Sequence, residues 1–196
     1  MRNEYLGDAF DHWKGSLILR LSKEKLIREL KVVPMITDDE TNPLWNEKDM
    51  QTYAQLLNIK REDIINESSK FENSDVKRKE YFKYVVSHKG DFFLDPDTGI
   101  EPQGALKKHV KFFELKILLE NTERILMVYQ HTSRWQKQNY KNSIRNIKKN
   151  IKDVSLIIYK GGQVSMFFIS RNKKGIQKIK TFLCELLQGT AACRII

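Results

Sequence analysis

The run Asp91-Phe92-Phe93-Leu94-Asp95-Pro96-Asp97-Thr98-Gly99 constrains this chain more than any other stretch. Three apolar residues read as a buried strand, and two carboxylates around a proline then close it. A charge left unpaired in an apolar core is prohibitively costly. Asp95 and Asp97 therefore belong at the mouth of the strand, facing water, a cation or a polar ligand. In open α/β sheets that mouth, at the carboxyl ends of the strands, is where ligands bind.

The rest of the chain alternates between helical and strand patterns. Phe10, Trp13, Leu17 and Leu21 recur at spacings of three and four, which predicts a helix over 9–30. Residues 31–37 read as a short buried strand, with Pro34 placing it at an edge. It ends in a second acidic group, Asp38-Asp39-Glu40. Asn42-Pro43 is a turn, 47–58 a helix, and 60–75 a polar loop or small insert. A helix over 76–88 precedes the strand at 91–95. Leu106, Val110, Phe113 and Ile117 predict a helix to about residue 121, and 124–131 is a buried strand ending in Tyr129-Gln130-His131. A helix over 136–151, a β-hairpin formed by 154–159 and 164–169, and a helix over 172–188 complete the chain. Strands alternating with helices predict one α/β domain over 1–196, a three-layer, mostly parallel sheet with a C-terminal hairpin. That order resembles the second half of a Rossmann-like methyltransferase domain.

The formal charge of +10 is unevenly spread. Residues 106–196 carry 19 Lys and Arg against 5 Asp and Glu, a net of +14; residues 1–105 carry 16 against 20, a net of −4. The basic half suits a polyanion such as nucleic acid, and the acidic half supplies carboxylates. Lys141, Arg145, Lys148 and Lys152 form one basic stripe, beside the apolar stripe Tyr140, Ile144, Ile147 and Ile151. Arg171, Lys173, Lys174, Lys178 and Lys180 form another, and Arg134 with Trp135 adds a cation and a stacking surface after His131. No window holds the ~18 apolar residues of a membrane span, and no signal-type apolar block follows the N-terminus. With Cys184 expected in the core of the last helix, the expected setting is cytoplasmic.

Three strand ends should converge at one edge of the sheet. They bring Asp38 and Asp39, then Asp95 and Asp97, then His131. Converging carboxylates suit Mg²⁺, a substrate amine or a ribose, and His131 suits proton transfer near neutral pH. In a bland alternative, Asp38, Asp39 and His131 only cap turns. Near the N-terminus Asp8 is placed to cap the first helix. Asp11 and Lys14, three apart, share a helix face; read from the residues alone they form a surface ion pair.

Gly7-Asp8-x-x-Asp11-x-x-Lys14, Phe93-Leu94-Asp95-Pro96-Asp97-x-Gly99-Ile100-Glu101 and Val128-Tyr129-Gln130-His131, in this order, resemble a family of uncharacterised bacterial and phage-associated proteins. More loosely, the first helix and Asp95-Pro96 resemble the ribosomal-RNA adenine methyltransferases. In those enzymes an Asp-Pro-Pro-aromatic motif holds the target amine; Asp97 and Thr98 stand here in place of the second proline and the aromatic. That resemblance implies a nucleic-acid-acting enzyme with S-adenosylmethionine as cofactor. Asp8, Asp11, Asp38 and Asp39 would serve the cofactor, and Asp95, Asp97, Lys14 and His131 the reaction. Pro96-Asp97 with Glu114-Leu115-Lys116 also matches the loose pattern of metal-dependent nucleases. That alternative needs residues 110–119 to be a strand. A Mg²⁺ site of Asp38, Asp95 and Asp97 does not. A non-enzymatic nucleic-acid-binding protein is the third reading.

Overall fold

A computed structural model describes residues 6–36, 45–65, 74–100, 108–120, 122–132, 137–187 and 195–196. The described elements run α1 (Ala9–Lys23), β1 (Leu30–Val33), α2 (Glu47–Leu57), a 3-10 turn (Arg61–Asp63), α3 (Asp75–Val86), β2 (Asp91–Leu94), β3 (Gly99–Ile100), β4 (His109–Val110), α4 (Phe112–Leu119), β5 (Leu126–His131), α5 (Lys137–Asn150), β6 (Ser155–Lys160), β7 (Val164–Ser170) and α6 (Lys173–Leu186). Five strands form one mixed sheet in the order β1-β2-β5-β7-β6. β1 pairs with β2, and β2 with β5, in parallel; β7 runs against both its neighbours, β5 and β6. The predicted hairpin is thus present. The sheet is α/β as expected, but two of its four ladders are antiparallel.

Strand alternation sends successive side chains to opposite faces. Phe93 of β2, Met127 and Tyr129 of β5 and Met166 and Phe168 of β7 join an apolar cluster with α1, α2 and α6. Phe92, Leu94, Leu126, Val128, Phe167 and Ile169 join a second cluster with α3, α4 and α5. The same parity governs the strand ends. Asp95 lies two residues beyond Phe93, and His131 two beyond Tyr129, so both belong on the α1 face.

Three expectations need correction. The first helix stops at Lys23 rather than 30. Lys25 adopts φ 53°, and the amides of Lys25 and Leu26 bond back to Ser22 and Leu21 at 3.0 and 2.9 Å. That is a Schellman closure around a left-handed residue, a position usually given to glycine, so the sequence carries no stop signal there. The helix expected from residue 106 begins at Phe112. His109 and Val110 instead form a two-residue parallel ladder with Gly99 and Ile100. Cys184 is exposed. The buried stripe of α6 is Ile176, Ile179 and Leu183, and one residue further on the helix has already turned about 100° away. By contrast, α2 ends at Asn58 in the left-handed conformation that asparagine tolerates.

Candidate functional site

Asp8 opens α1. Its Oδ1 accepts the amides of Phe10 and Asp11 at 2.8 and 3.1 Å, the cap expected of an aspartate there. The buried face of the helix is Asp11, Lys14, Gly15, Leu17, Ile18 and Leu21, while Phe10 and Trp13 are only half-buried. The buried face keeps Leu17 and Leu21 of the apolar stripe, but in the first turns it is rotated by one residue, through Asp11 and Lys14 rather than Phe10 and Trp13. This rotation takes Asp11 and Lys14 off the surface and into the protein. Gly15 makes it possible: a Cβ there would lie 1.9 Å from the Leu56 carbonyl oxygen, so α1 and α2 touch through backbone.

Lys14 Nζ lies 2.7 Å from Asp11 Oδ1 and 2.7 Å from Asp95 Oδ2. Asp11, Lys14 and Asp95 are 0%, 3% and 1% exposed, so the ion pair is an interior one. Asp11 Oδ2 accepts the Gly7 amide at 2.8 Å, and the Tyr53 hydroxyl donates to Asp95 Oδ2. The ammonium also stands 4.5 Å from the centre of the Tyr129 ring. Trp45 packs edge-on to Tyr53 at 5.0 Å and closes the cluster from the side of α2; among the described residues its buried Nε1 has no hydrogen-bond partner.

One ammonium between two carboxylates leaves a negative charge uncompensated. Burial pushes the Asp11 carboxyl above its ordinary range, more than Lys14 pulls it down. Burial by itself would lower the Lys14 ammonium, but Asp95 and Asp11 outweigh it and hold its pKa above the ordinary value. Burial, reinforced by Asp95, drives the Tyr53 and Tyr129 hydroxyls upward. At neutral pH both tyrosines are therefore proton donors, and Lys14 is an ammonium.

Beyond Asp95 the chain leaves the cluster. Asp97 is half-buried, and the next residues turn over the end of β5. Gln130 fixes that turn: its Oε1 accepts the Ile100 amide and its Nε2 donates to the Thr98 carbonyl, each at 2.8 Å. Gly99 has φ 122°, and a Cβ there would sit 2.2 Å from the Gln130 amide. His131 is exposed and stands edge-on to Phe10 at 6.0 Å and Tyr129 at 5.0 Å. Burial against these rings lowers its pKa, although Asp95 pulls the other way. Asp95, Lys14, Asp11 and His131 are thus brought to one edge of the sheet. Asp38, Asp39, Arg134 and Trp135 lie outside the described residues.

Among the described residues no group of three His, Cys, Asp or Glu side chains converges as a metal site requires. Residues 112–119 are helical, so the strand that the nuclease pattern needs is absent. Glu114 is instead buried in a two-pronged pair with Arg78, whose Nη2 donates to Glu114 Oε2 at 2.8 Å and to the His109 carbonyl at 2.7 Å. Lys116 is exposed. Asp91, at the other end of β2, is also spoken for: Oδ1 accepts the Ile125 amide at 2.8 Å and Oδ2 the Arg28 amide at 2.7 Å.

S-adenosylmethionine fits the described residues poorly. Beyond β1 the described residues hold only a single parallel bridge, Ile64 to Val32, with the Ile65 amide donating to the Val32 carbonyl at 2.8 Å. Met35 and Ile36 are buried side chains at the end of β1, where close backbone approach calls for glycine. A groove of about 330 Å³ opens at the far end of α1, between Leu26 and Phe182 with Glu24 and Glu185 at its rim, away from the charged cluster.

Sequence reasoning found Asp95, Asp11, Lys14 and His131 but missed Tyr53, which looked like one more core aromatic of α2. Gly15, a glycine inside a helix, was the available signal that α1 approaches another backbone. The basic stripe Lys141, Arg145, Lys148 and Lys152 is exposed, as are Lys173 and Lys174. No helix among the described residues is long and apolar enough to cross a membrane. No family model, curated protein or solved structure matches the chain.

Proposed function

We propose that this protein is a nucleic-acid-acting enzyme on a three-layer, Rossmann-like (methyltransferase-like) sheet, with its reactive edge at the carboxyl ends of β2 and β5. One observation carries the reading: the solvent-excluded Asp11–Lys14–Asp95 cluster, completed by Tyr53, stands at that edge. Buried ion pairs are poor devices for stability, because apolar residues of similar volume usually serve as well or better. Unlike the buried Arg78–Glu114 pair, which joins two helices, this group stands at the end of β2 where ligands bind in such sheets, and groups of this kind gather at functional sites. The helix clusters on both faces of the sheet and the antiparallel β7 between β5 and β6 agree with the methyltransferase-like arrangement. The basic half supplies attraction for the phosphates.

Within this reading the residues divide by depth. Lys14 and Tyr53 hold the Asp95 carboxylate in one orientation. Asp97 and His131, nearer to solvent, meet the substrate, and a neutral His131 accepts or returns a proton. S-adenosylmethionine would supply a methyl group if bound. The described residues do not form its site, and no step here passes through it. The metal-dependent alternative lacks a comparable observation, because an ammonium already neutralises Asp95.

The test is mass spectrometry of RNA and DNA incubated with the protein, once with S-adenosylmethionine and once with Mg²⁺. A covalent change that depends on the wild type and disappears in Asp97→Asn and His131→Ala supports an enzyme at this edge. Methylation supports the favoured chemistry, and cleavage the metal-dependent one. Unchanged nucleic acid under both conditions sinks the enzyme reading.

A further inference from the structure

The outer face of α5 differs from an ordinary solvated helix face. From residue 137 through 152 the chain has no Asp or Glu. Lys141, Arg145, Lys148 and Lys152 recur at spacings of four, three and four, all exposed, with exposed Lys149 beside them. None of the five makes an ion pair among the described residues, whereas Lys31, Arg61 and Lys111 each do. A helix that merely needs solubility mixes both signs at i, i+4 spacing; this one carries uncompensated cations over about 10 Å from Lys141 to Lys148, with Lys152 in the turn that follows.

A second row lies next to it. Gln138, Asn142, Asn146 and Asn150 follow one another every four residues, and Gln138 Nε2 donates to Asn142 Oδ1 at 2.8 Å. Each amide both donates and accepts hydrogen bonds. The one aromatic of α5, Tyr140, is buried, its hydroxyl 3.2 Å from Ser165 Oγ. The helix therefore offers no platform on which the bases of a single strand could stack. It also lies flush on the sheet, with Tyr140, Ile147 and Ile151 buried and Ile144 half-buried. It suits the wide, shallow minor groove of an RNA duplex, which displays 2′-hydroxyls between its phosphate rows.

We infer that the exposed face of α5 is a docking surface for double-stranded RNA, its cations on the phosphates and its amides on the 2′-hydroxyls. This rests on the nucleic-acid reading above and names the substrate form. α5 follows β5 in the chain and packs on the face of the sheet opposite the Lys14–Asp95 cluster.

The experiment compares binding of one short sequence as duplex RNA, duplex DNA and single-stranded RNA across a range of salt. The expected order is duplex RNA tightest. Lys141→Gln/Arg145→Gln/Lys148→Gln should weaken it at least tenfold and flatten the log–log salt slope by about 3, one for each lost phosphate contact. Asn142→Ala/Asn146→Ala should remove the preference for RNA over DNA while leaving the salt slope in place. These side chains are at the surface, so circular dichroism and melting should match wild type. Equal binding of the two duplexes, or tighter binding of the single strand, overturns the inference. So does loss of binding in Lys173→Gln/Lys174→Gln with none in the α5 variant, a result that leaves the nucleic-acid reading standing. No binding of any nucleic acid by the wild type removes both.

Discussion

Lys14 is the residue on which the interior of the site turns. Replacing it with methionine leaves Asp11 and Asp95 buried, close together and without their cation. Breaking such a pair from one side costs about 3–5 kcal/mol, which denaturant titration should detect as a lowered midpoint. Replacing all three charged residues, as in Asp11→Leu/Lys14→Met/Asp95→Leu, should restore most of that stability while abolishing activity. A purely structural cluster would not separate the two. The pH dependence follows from the same contacts. Lys14 and Tyr53 both hold their protons more tightly folded than unfolded, from ordinary values of 10.5 and 10.0. A group whose pKa is raised on folding contributes fully below its unfolded value and loses that contribution as pH climbs through the folded value. Stability should therefore fall from about pH 10 upward, and Tyr53→Phe should shallow that fall. Equal alkaline slopes in wild type and Tyr53→Phe would contradict the assignment.

At the scale of elements, two close approaches and one ion pair set the positions. Gly15 allows α1 to meet α2 through backbone: a Cβ there would run into the Leu56 carbonyl, which cannot swing aside as a side chain would. Gly15→Ala should cost about 2–3 kcal/mol by forcing the helices apart, and it should lower activity as well, since Tyr53 rides on α2 and Lys14 on α1. Measuring the Tm and the turnover of this variant together checks both halves. Arg78 and Glu114 lock α3 to α4, which pack on the other face of the sheet from α1 and α2. Glu114→Gln should destabilise the fold, yet the activity of the protein that remains folded should be unchanged. Loss of activity without loss of stability would return Glu114 to the reaction. Part of this was readable beforehand. The boundaries of α2, α3, β2 and the hairpin follow from stripes, alternation and asparagine or glycine punctuation. The end of α1 was not readable, because a lysine occupies the left-handed position.

For the molecule as a whole, the charge asymmetry is the governing fact. Chain 106–196 is strongly basic and includes β5, with α5 and α6 among its helices. α5 joins the cluster on one face and α6 the cluster on the other. A polyanion attracted by both stripes is thus drawn to the sheet from either side, with an affinity that declines steeply as salt rises. Association measured at low and moderate salt should differ by orders of magnitude if several phosphates are contacted, and a flat salt response would argue against this use of the basic half.

What the sequence determined by itself was local and periodic. Alternation fixed which strand residues share a face, and so put Asp95 and His131 on one side of the sheet. Helical spacing fixed the exposed stripe of α5, and residue type fixed the caps at Asp8 and Asn58. The tertiary structure alone decided which face of α1 is inside. Leu17 and Leu21 are buried as the apolar stripe predicts, but in the first turns the observed face runs through Asp11 and Lys14, a single residue from Phe10 and Trp13. The choice between them depends on a backbone contact at Gly15 and on a carboxylate 81 residues further along the chain. No local pattern can weigh the desolvation of a lysine against two partners that only the folded chain brings within 2.7 Å. For that reason Asp11 and Lys14, which read as a surface pair, form the buried centre of the site.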